Sequence, residues 1–288
     1  MKELIVKTCV LRAAGTNCDR ETAYAFERAG ARSEIIHINQ FVSRTRTLNE
    51  FHILAIPGGF TYGDDVSSGK ILANELKYNL FDDIRRFVEQ GRLIIGICNG
   101  FQVLVKSGLL PDVAGDCEIE ASLVLNNSGK FEDCWVYLKP PRPITRCVWT
   151  NGIERVIYLP VAHGEGKFVV KGNTVLSLLK ENNQIVFRYC TPDGSPGPFP
   201  VNPNGSLDDI AGICDPTGRI LGMMPHPERH ITFFHHPHWH RCSERKQGDG
   251  LNIFENGVQY IQKTILTQES GDISQVADNA NIKNQMSK

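Results

Sequence analysis

Four short apolar runs, at about residues 4–10, 33–38, 52–57 and 92–97, alternate with stretches of helical period at about 19–30, 68–90 and 99–107. Aliphatic runs bounded by glycine or polar turns read as buried strands, and apolar positions recurring every three or four residues between them read as amphipathic helices. The alternation predicts βαβ units and a parallel sheet, an architecture that binds ligands beyond the carboxyl ends of its strands. From about 117 to 189 the pattern shifts to shorter β runs, such as Val156-Ile-Tyr-Leu159 and Gln184-Ile-Val-Phe-Arg-Tyr189, and a turn-rich stretch follows from Thr191 to Ser206. Ile210-Ala-Gly-Ile213 and Ile220-Leu-Gly-Met223 return to the sheet, and Leu251 to Leu266 predicts a closing helix. No internal repeat is visible.

Composition narrows the class. With 288 residues, 41% hydrophobic and 22% charged, the chain can bury one sizeable core, and the pattern reads as a single domain over 1–267. A formal net charge of −1 offers no basis for binding nucleic acid or a membrane surface. The nine cysteines are irregularly spaced and odd in number, so they predict reduced thiols rather than a disulfide framework, and no Cys-x-x-Cys pair suggests zinc. The start, Met1-Lys-Glu-Leu-Ile-Val6, runs straight into a strand without a basic-plus-apolar leader, and no apolar stretch is long enough to span a bilayer, so a cytoplasmic protein is expected. The segment 268–288 is polar and lacks aromatics, which predicts a disordered tail.

The candidate chemistry begins where the fourth predicted strand ends. Gly96-Ile-Cys98-Asn-Gly100 has the form of a nucleophile elbow, in which a tight strand-to-helix turn projects the reactive atom from the sheet. A thiol at a helix amino end also gains from the positive end of the helix dipole, which favours the attacking thiolate. A base is offered by Pro225-His226-Pro227-Glu228. Prolines on both sides of His226 favour extended backbone, which points His226 and Glu228 to one side, so the carboxylate can orient the imidazole. The turn Pro57-Gly58-Gly59-Phe60, with the N–H of Asn99, supplies backbone donors for an oxyanion.

Five blocks then carry a family resemblance: Gly15-Thr-Asn-Cys-Asp-Arg-Glu21, Pro57-Gly-Gly-Phe-Thr-Tyr-Gly-Asp64, Gly96-Ile-Cys-Asn-Gly-Phe-Gln102, Pro160-Val-Ala-His-Gly-Glu-Gly166 and Met223-Met-Pro-His-Pro-Glu-Arg229. Over about residues 4–260 the chain resembles class I glutamine amidotransferases, and among them the glutaminase subunits of phosphoribosylformylglycinamidine synthases. The resemblance implies a flavodoxin-like α/β fold with a mostly parallel sheet flanked by helices. It implies Cys98 as nucleophile, His226 as base, Glu228 as its orienter, Gly58, Gly59 and Asn99 around the oxyanion, and Gln102 near the substrate L-glutamine. Ammonia released through a thioester would pass to an ATP-dependent synthase subunit, often with a small bridging subunit. The chain lacks a G-x-x-x-x-G-K-[ST] loop, so no cofactor is expected here, and ATP with magnesium belongs to the synthase.

Two regions compete for attention. Phe233-Phe-His-His-Pro-His-Trp-His240-Arg-Cys242 is rich in zinc-type ligands, but His235, His236, His238 and His240 lack a ligand framework; the segment reads as a solvated insertion at about 232–247, with no metal. His163 and Glu165 form a second His/Glu pair whose role is open between structure, partner contact and substrate. Rival readings are a glutaminase for another synthase, a non-catalytic regulatory or scaffold subunit, and a cysteine-elbow redox or chaperone protein; the last would not need His-Pro-Glu.

Overall fold

The computed structural model describes residues 5–64, 67–143, 145–241 and 247–266; the tail expected from residue 268 onwards lies outside them. In chain order the amino-terminal part runs β1 (Lys7–Arg12), α1 (Asp19–Arg28), β2 (Arg32–His37), α2 (Ile38–Val42), β3 (Ile53–Ile56), α3 (Lys70–Asn79), α4 (Phe81–Glu89), β4 (Leu93–Ile97) and α5 (Asn99–Lys106). There follow β5 (Ala121–Val124), β6 (Glu132–Lys139), β7 (Ile157–His163), β8 (Lys167–Val170), α6 (Asn173–Glu181), β9 (Ile185–Cys190), β10 (Ile210–Cys214), β11 (Ile220–Met223) and α7 (Leu251–Ile261).

The main sheet has the order β2-β1-β3-β4-β11-β10-β9-β6-β7. β2, β1, β3, β4 and β11 pair in parallel, and antiparallel pairings continue from β11 through β10, β9 and β6 to β7. Following these senses, only β10 and β6 run against the other strands. The carboxyl ends of β3, β4, β11 and β7 therefore lie along one rim. β4 and β11 are buried at every position, as expected of strands covered on both faces.

The helices follow from apolar stripes that cover those faces. Phe26 of α1 meets Phe254 of α7 edge-on at 4.9 Å and Trp149 at 6.3 Å, tying the first and last helices together over the sheet. The helical period predicted at about 68–90 is two helices, because Leu80 leaves helical geometry at φ −132°. No proline or glycine marks that break, and Leu80 is buried, so packing decides it. β5 and β8 form a separate antiparallel ribbon, from which Phe168 stacks on Phe101 of α5. The link from β7 to β8, residues 164–166, is thereby drawn back to α5, where the amide of Gln102 holds Glu165.

Candidate active site

Cys98 caps the amino end of α5 with φ 50° and ψ −105°. A side chain rarely holds that backbone geometry; here the strand and helix on either side impose it. The turn is tight because α5 lies directly on β3: a Cβ on Gly100 would sit 1.9 Å from the Ile56 carbonyl oxygen. The Cys98 N–H donates to the Met223 carbonyl at 2.8 Å, and its thiol faces the Ala162 carbonyl at 3.6 Å. Thus β11 and β7, remote in sequence, frame the thiol.

His226 follows β11. Its backbone N–H donates to the Pro160 carbonyl at 2.8 Å, and its Nδ1 lies 2.6 Å from Glu228 Oε1. Both side chains are buried. Burial disfavours the charged imidazole, but the negative charge of Glu228 and the adjacent Cys98 side chain outweigh it and hold the His226 pKa well above its ordinary range. Its buried Nε2 faces the thiols of Cys98 and Cys18. With Nδ1 held by Glu228, Nε2 is the nitrogen left to exchange a proton with a thiol.

The Gly58-Gly59 turn leaves β3 directly against this pair. A Cβ at Gly58 would stand 2.7 Å from His226 Cε1, 3.3 Å from Cys98 Cβ and 3.4 Å from Cys18 Sγ, so a side chain there would fill the space between them. A second loop secures the turn: Cys18 N–H donates to the Gly58 carbonyl at 3.4 Å, Phe60 N–H to Gly15 at 3.3 Å and Tyr62 N–H to Ala14 at 2.6 Å. Asn99, the first residue of α5, presents its N–H at the helix amino end beside Cys98.

A family model described as a CobB/CobQ-like glutamine amidotransferase domain matches residues 5–261. The chain belongs to that family. Among curated relatives of this amidotransferase, phosphoribosylformylglycinamidine synthase subunit PurQ of Dehalococcoides mccartyi is 49% identical over 90% of the chain and 98% of that protein. The subunit of the same name from Methanococcus maripaludis is 42% identical over 91% of the chain and 100% of that protein. A chain in the structure of PurLQS from Thermotoga maritima superposes with a TM-score of 0.67 at 29% identity, covering 90% of this chain and all of that one.

Several residues of the amidotransferase stand differently from what their types suggest. Gln102 is fastened at both ends, with Nε2 donating to the Glu165 carbonyl at 2.7 Å and Oε1 accepting from Asn99 Nδ2 at 3.0 Å; it ties the 163–166 loop to α5. His163 and Glu165 do not pair. His163 sits in a buried amide network, with Nδ1 3.1 Å from Asn126 Oδ1 and Nε2 3.5 Å from Asn204 Nδ2, whereas the Glu165 carboxylate faces Lys106 at 3.8 Å. The residues missed in the sequence are Cys18, Glu21 and Arg229. Arg229 donates to Glu21 at 2.9 Å and to Cys18 Sγ at 3.1 Å. Cys18 and Glu21 stand in the Gly-Thr-Asn-Cys-Asp-Arg-Glu block, but nothing in sequence spacing brings residue 18 to residue 226.

Burial, reinforced by the neighbouring His226, pushes the His163 pKa down from 6.5 to about 4. The folded chain therefore keeps His163 neutral while the unfolded chain takes up a proton below about pH 6.5, so stability is full above that pH and falls as pH drops toward 4. Complete titration amounts to about 3 kcal/mol. Urea unfolding between pH 6.5 and 4.5 should show a shallower loss for His163→Gln than for the unsubstituted chain. An identical pH slope would assign the acid sensitivity elsewhere.

The His-rich run forms two short 3-10 turns, Phe233–His235 and Trp239–Arg241. His236 packs among Trp135, Tyr158 and His230, while His235, His238 and His240 are exposed. Cys242 lies outside the described residues. Replacing His235, His236, His238 and His240 together with Asn should leave turnover close to unsubstituted and remove no stoichiometric metal, as elemental analysis and a glutaminase assay would show. Loss of a tightly held zinc along with activity would defeat this expectation.

Proposed function

We propose that this chain is the glutaminase subunit of a phosphoribosylformylglycinamidine synthase in purine biosynthesis, releasing ammonia from L-glutamine at Cys98. The observation that carries the chemistry is a thiol on a strained elbow beside a buried imidazole whose other nitrogen is held by Glu228 at 2.6 Å. Charge on His226 stabilises the thiolate. The thiolate attacks the side-chain amide carbon, and N–H groups of the Gly58-Gly59 turn and Asn99 bind the oxyanion. His226 then gives a proton to the departing ammonia, leaving a thioester. Water attacks that thioester as His226 takes its proton, and glutamate leaves with the thiol restored.

The relatives named for this synthase favour it over other acceptors, and an intact Cys98–His226–Glu228 arrangement counts against a scaffold role. ATP and magnesium are assigned to the synthase subunit, with a small bridging subunit completing the complex. Among the described residues no helix is long and apolar enough to cross a membrane, which supports a cytoplasmic setting. The test combines the chain with the synthase and bridging subunits, ATP, magnesium and formylglycinamide ribonucleotide. One glutamate formed per amidine supports the proposal; glutamate formed only with another synthase and acceptor would replace the pathway but keep the glutaminase.

A further inference from the structure

Cys18 has no part in the thioester chemistry, yet its thiol is buried against the same imidazole. Among the described residues, ligand atoms of Cys18, Glu21, His226 and Glu228 lie within 4.8 Å of one another. One buried acceptor in that group, Glu228 Oε2, has no hydrogen-bond partner, and the buried His226 Nε2 meets only the thiols of Cys18 and Cys98. A buried acceptor left without a donor is costly unless something positive is bound there at least part of the time.

We propose that this cluster is an inhibitory site for a thiophilic divalent cation of the zinc type, with Cys18 Sγ and His226 Nε2 as its fixed ligands. Glu21 and water complete the coordination. Glu228 stays on Nδ1 and plays the outer part of a carboxylate–histidine–metal arrangement, which raises the basicity of the ligating nitrogen. Bond lengths of about 2.3 Å to sulfur and 2.0–2.1 Å to nitrogen put tetrahedral neighbours about 3.6 Å apart, so side-chain shifts of about an ångström close the cluster on a metal. One thiolate and one imidazole select zinc-like ions over magnesium or calcium, which prefer oxygen.

Charge fits as well. Once a metal has displaced the protons on Cys18 and His226, the Cys18 thiolate, Glu21 and Glu228 carry three negative charges; the Arg229 guanidinium offsets one, and the divalent cation neutralises the rest. A metal takes the place of protons on Cys18 Sγ and His226 Nε2, so its uptake releases protons and strengthens with pH. A metal on Nε2 removes the base that the proposed glutaminase reaction uses. That consequence rests on the function proposed above, but binding itself does not.

The test titrates the chelator-stripped full chain with zinc chloride by calorimetry, and with cadmium chloride while following the thiolate-to-metal charge-transfer absorbance. The unsubstituted chain should bind one equivalent. Cys98→Ser should bind zinc as tightly although it cannot turn over glutamine, which separates this proposal from the catalytic one. Cys18→Ser should lose the cadmium absorbance and weaken zinc by at least about tenfold. If circular dichroism shows that Cys18→Ser does not fold, Glu21→Gln decides, with a similar weakening expected while the cadmium–thiolate band remains. Absence of stoichiometric zinc, unchanged affinity in a folded Cys18→Ser or in Glu21→Gln, or loss of binding in Cys98→Ser overturns the proposal.

Discussion

Cys98→Ala in the assembled complex is expected to abolish amidine synthesis from glutamine, by several orders of magnitude, while leaving synthesis from added ammonium salt intact. Covalent catalysis admits no partial substitute: alanine removes the atom that forms the thioester, and the elbow at φ 50° holds no other nucleophile at that point. The fold should survive, because the backbone bonds that shape the turn, Cys98 N–H to Met223 and Gln102 N–H to Cys98, do not involve the thiol. Ammonia supplied from solution bypasses the first half of the reaction, so its use reports on the synthase alone. Substantial glutamate release by this variant would show that the nucleophile has been misassigned. Loss of the ammonium-dependent rate would show instead that the complex had failed to assemble.

The isolated chain is expected to hydrolyse glutamine poorly and to rise roughly a hundredfold in rate on binding its synthase with nucleotide and ribonucleotide ligands. Free hydrolysis would waste glutamine and release ammonia that is largely protonated at neutral pH. The Gly58-Gly59 turn can act as the switch. The two bonds that tie the turn itself to the neighbouring loop, Cys18 N–H to the Gly58 carbonyl at 3.4 Å and Phe60 N–H to Gly15 at 3.3 Å, are both long. The firmer bond from Tyr62 lies beyond it, and Gly59 at φ +123° occupies a conformation that side chains rarely adopt. Turning that peptide between two settings redirects an N–H toward or away from the oxyanion. A partner has a handle on it: Phe60, the next residue, is half exposed and stacks on exposed Phe131 at 6.1 Å. Favouring the competent setting by about 3 kcal/mol gives the hundredfold change. Steady-state glutamate release with and without the synthase measures it; a lone chain already running at the rate of the complex would refute the switch.

Local sequence reached far because strand and helix periodicity, and the glycines of the elbow, are local properties. The apolar runs near 33–38, 52–57 and 92–97 are β2, β3 and β4, and the period at 99–107 is α5. Gly96 and Gly100 flag the elbow because close approach of helix to strand leaves no room for Cβ atoms. His226 and Glu228 are two residues apart, and extended backbone predicts their pairing; only His226 is extended, at φ −100° and ψ 90°, and Glu228 reaches it from a 3-10 turn, Pro227–Arg229, that the prolines do not foretell. Other features depended on distant packing. The division of α3 from α4 at Leu80 carries no breaker residue and follows from burial.

The sequence by itself determined a strand–elbow–helix presenting Cys98, a His-Pro-Glu element, and the family to which these blocks belong, since each depends on neighbours within a few residues. Only the tertiary structure decided that His163 sits in the Asn126–Asn204 network while Glu165 turns to Lys106, and that Cys18 joins His226 across more than two hundred residues. The physical reason is the parallel sheet order, which gathers strand ends from remote segments along one rim. Hydrogen-bond partners and buried charges there are set by proximity in space, which no local pattern encodes.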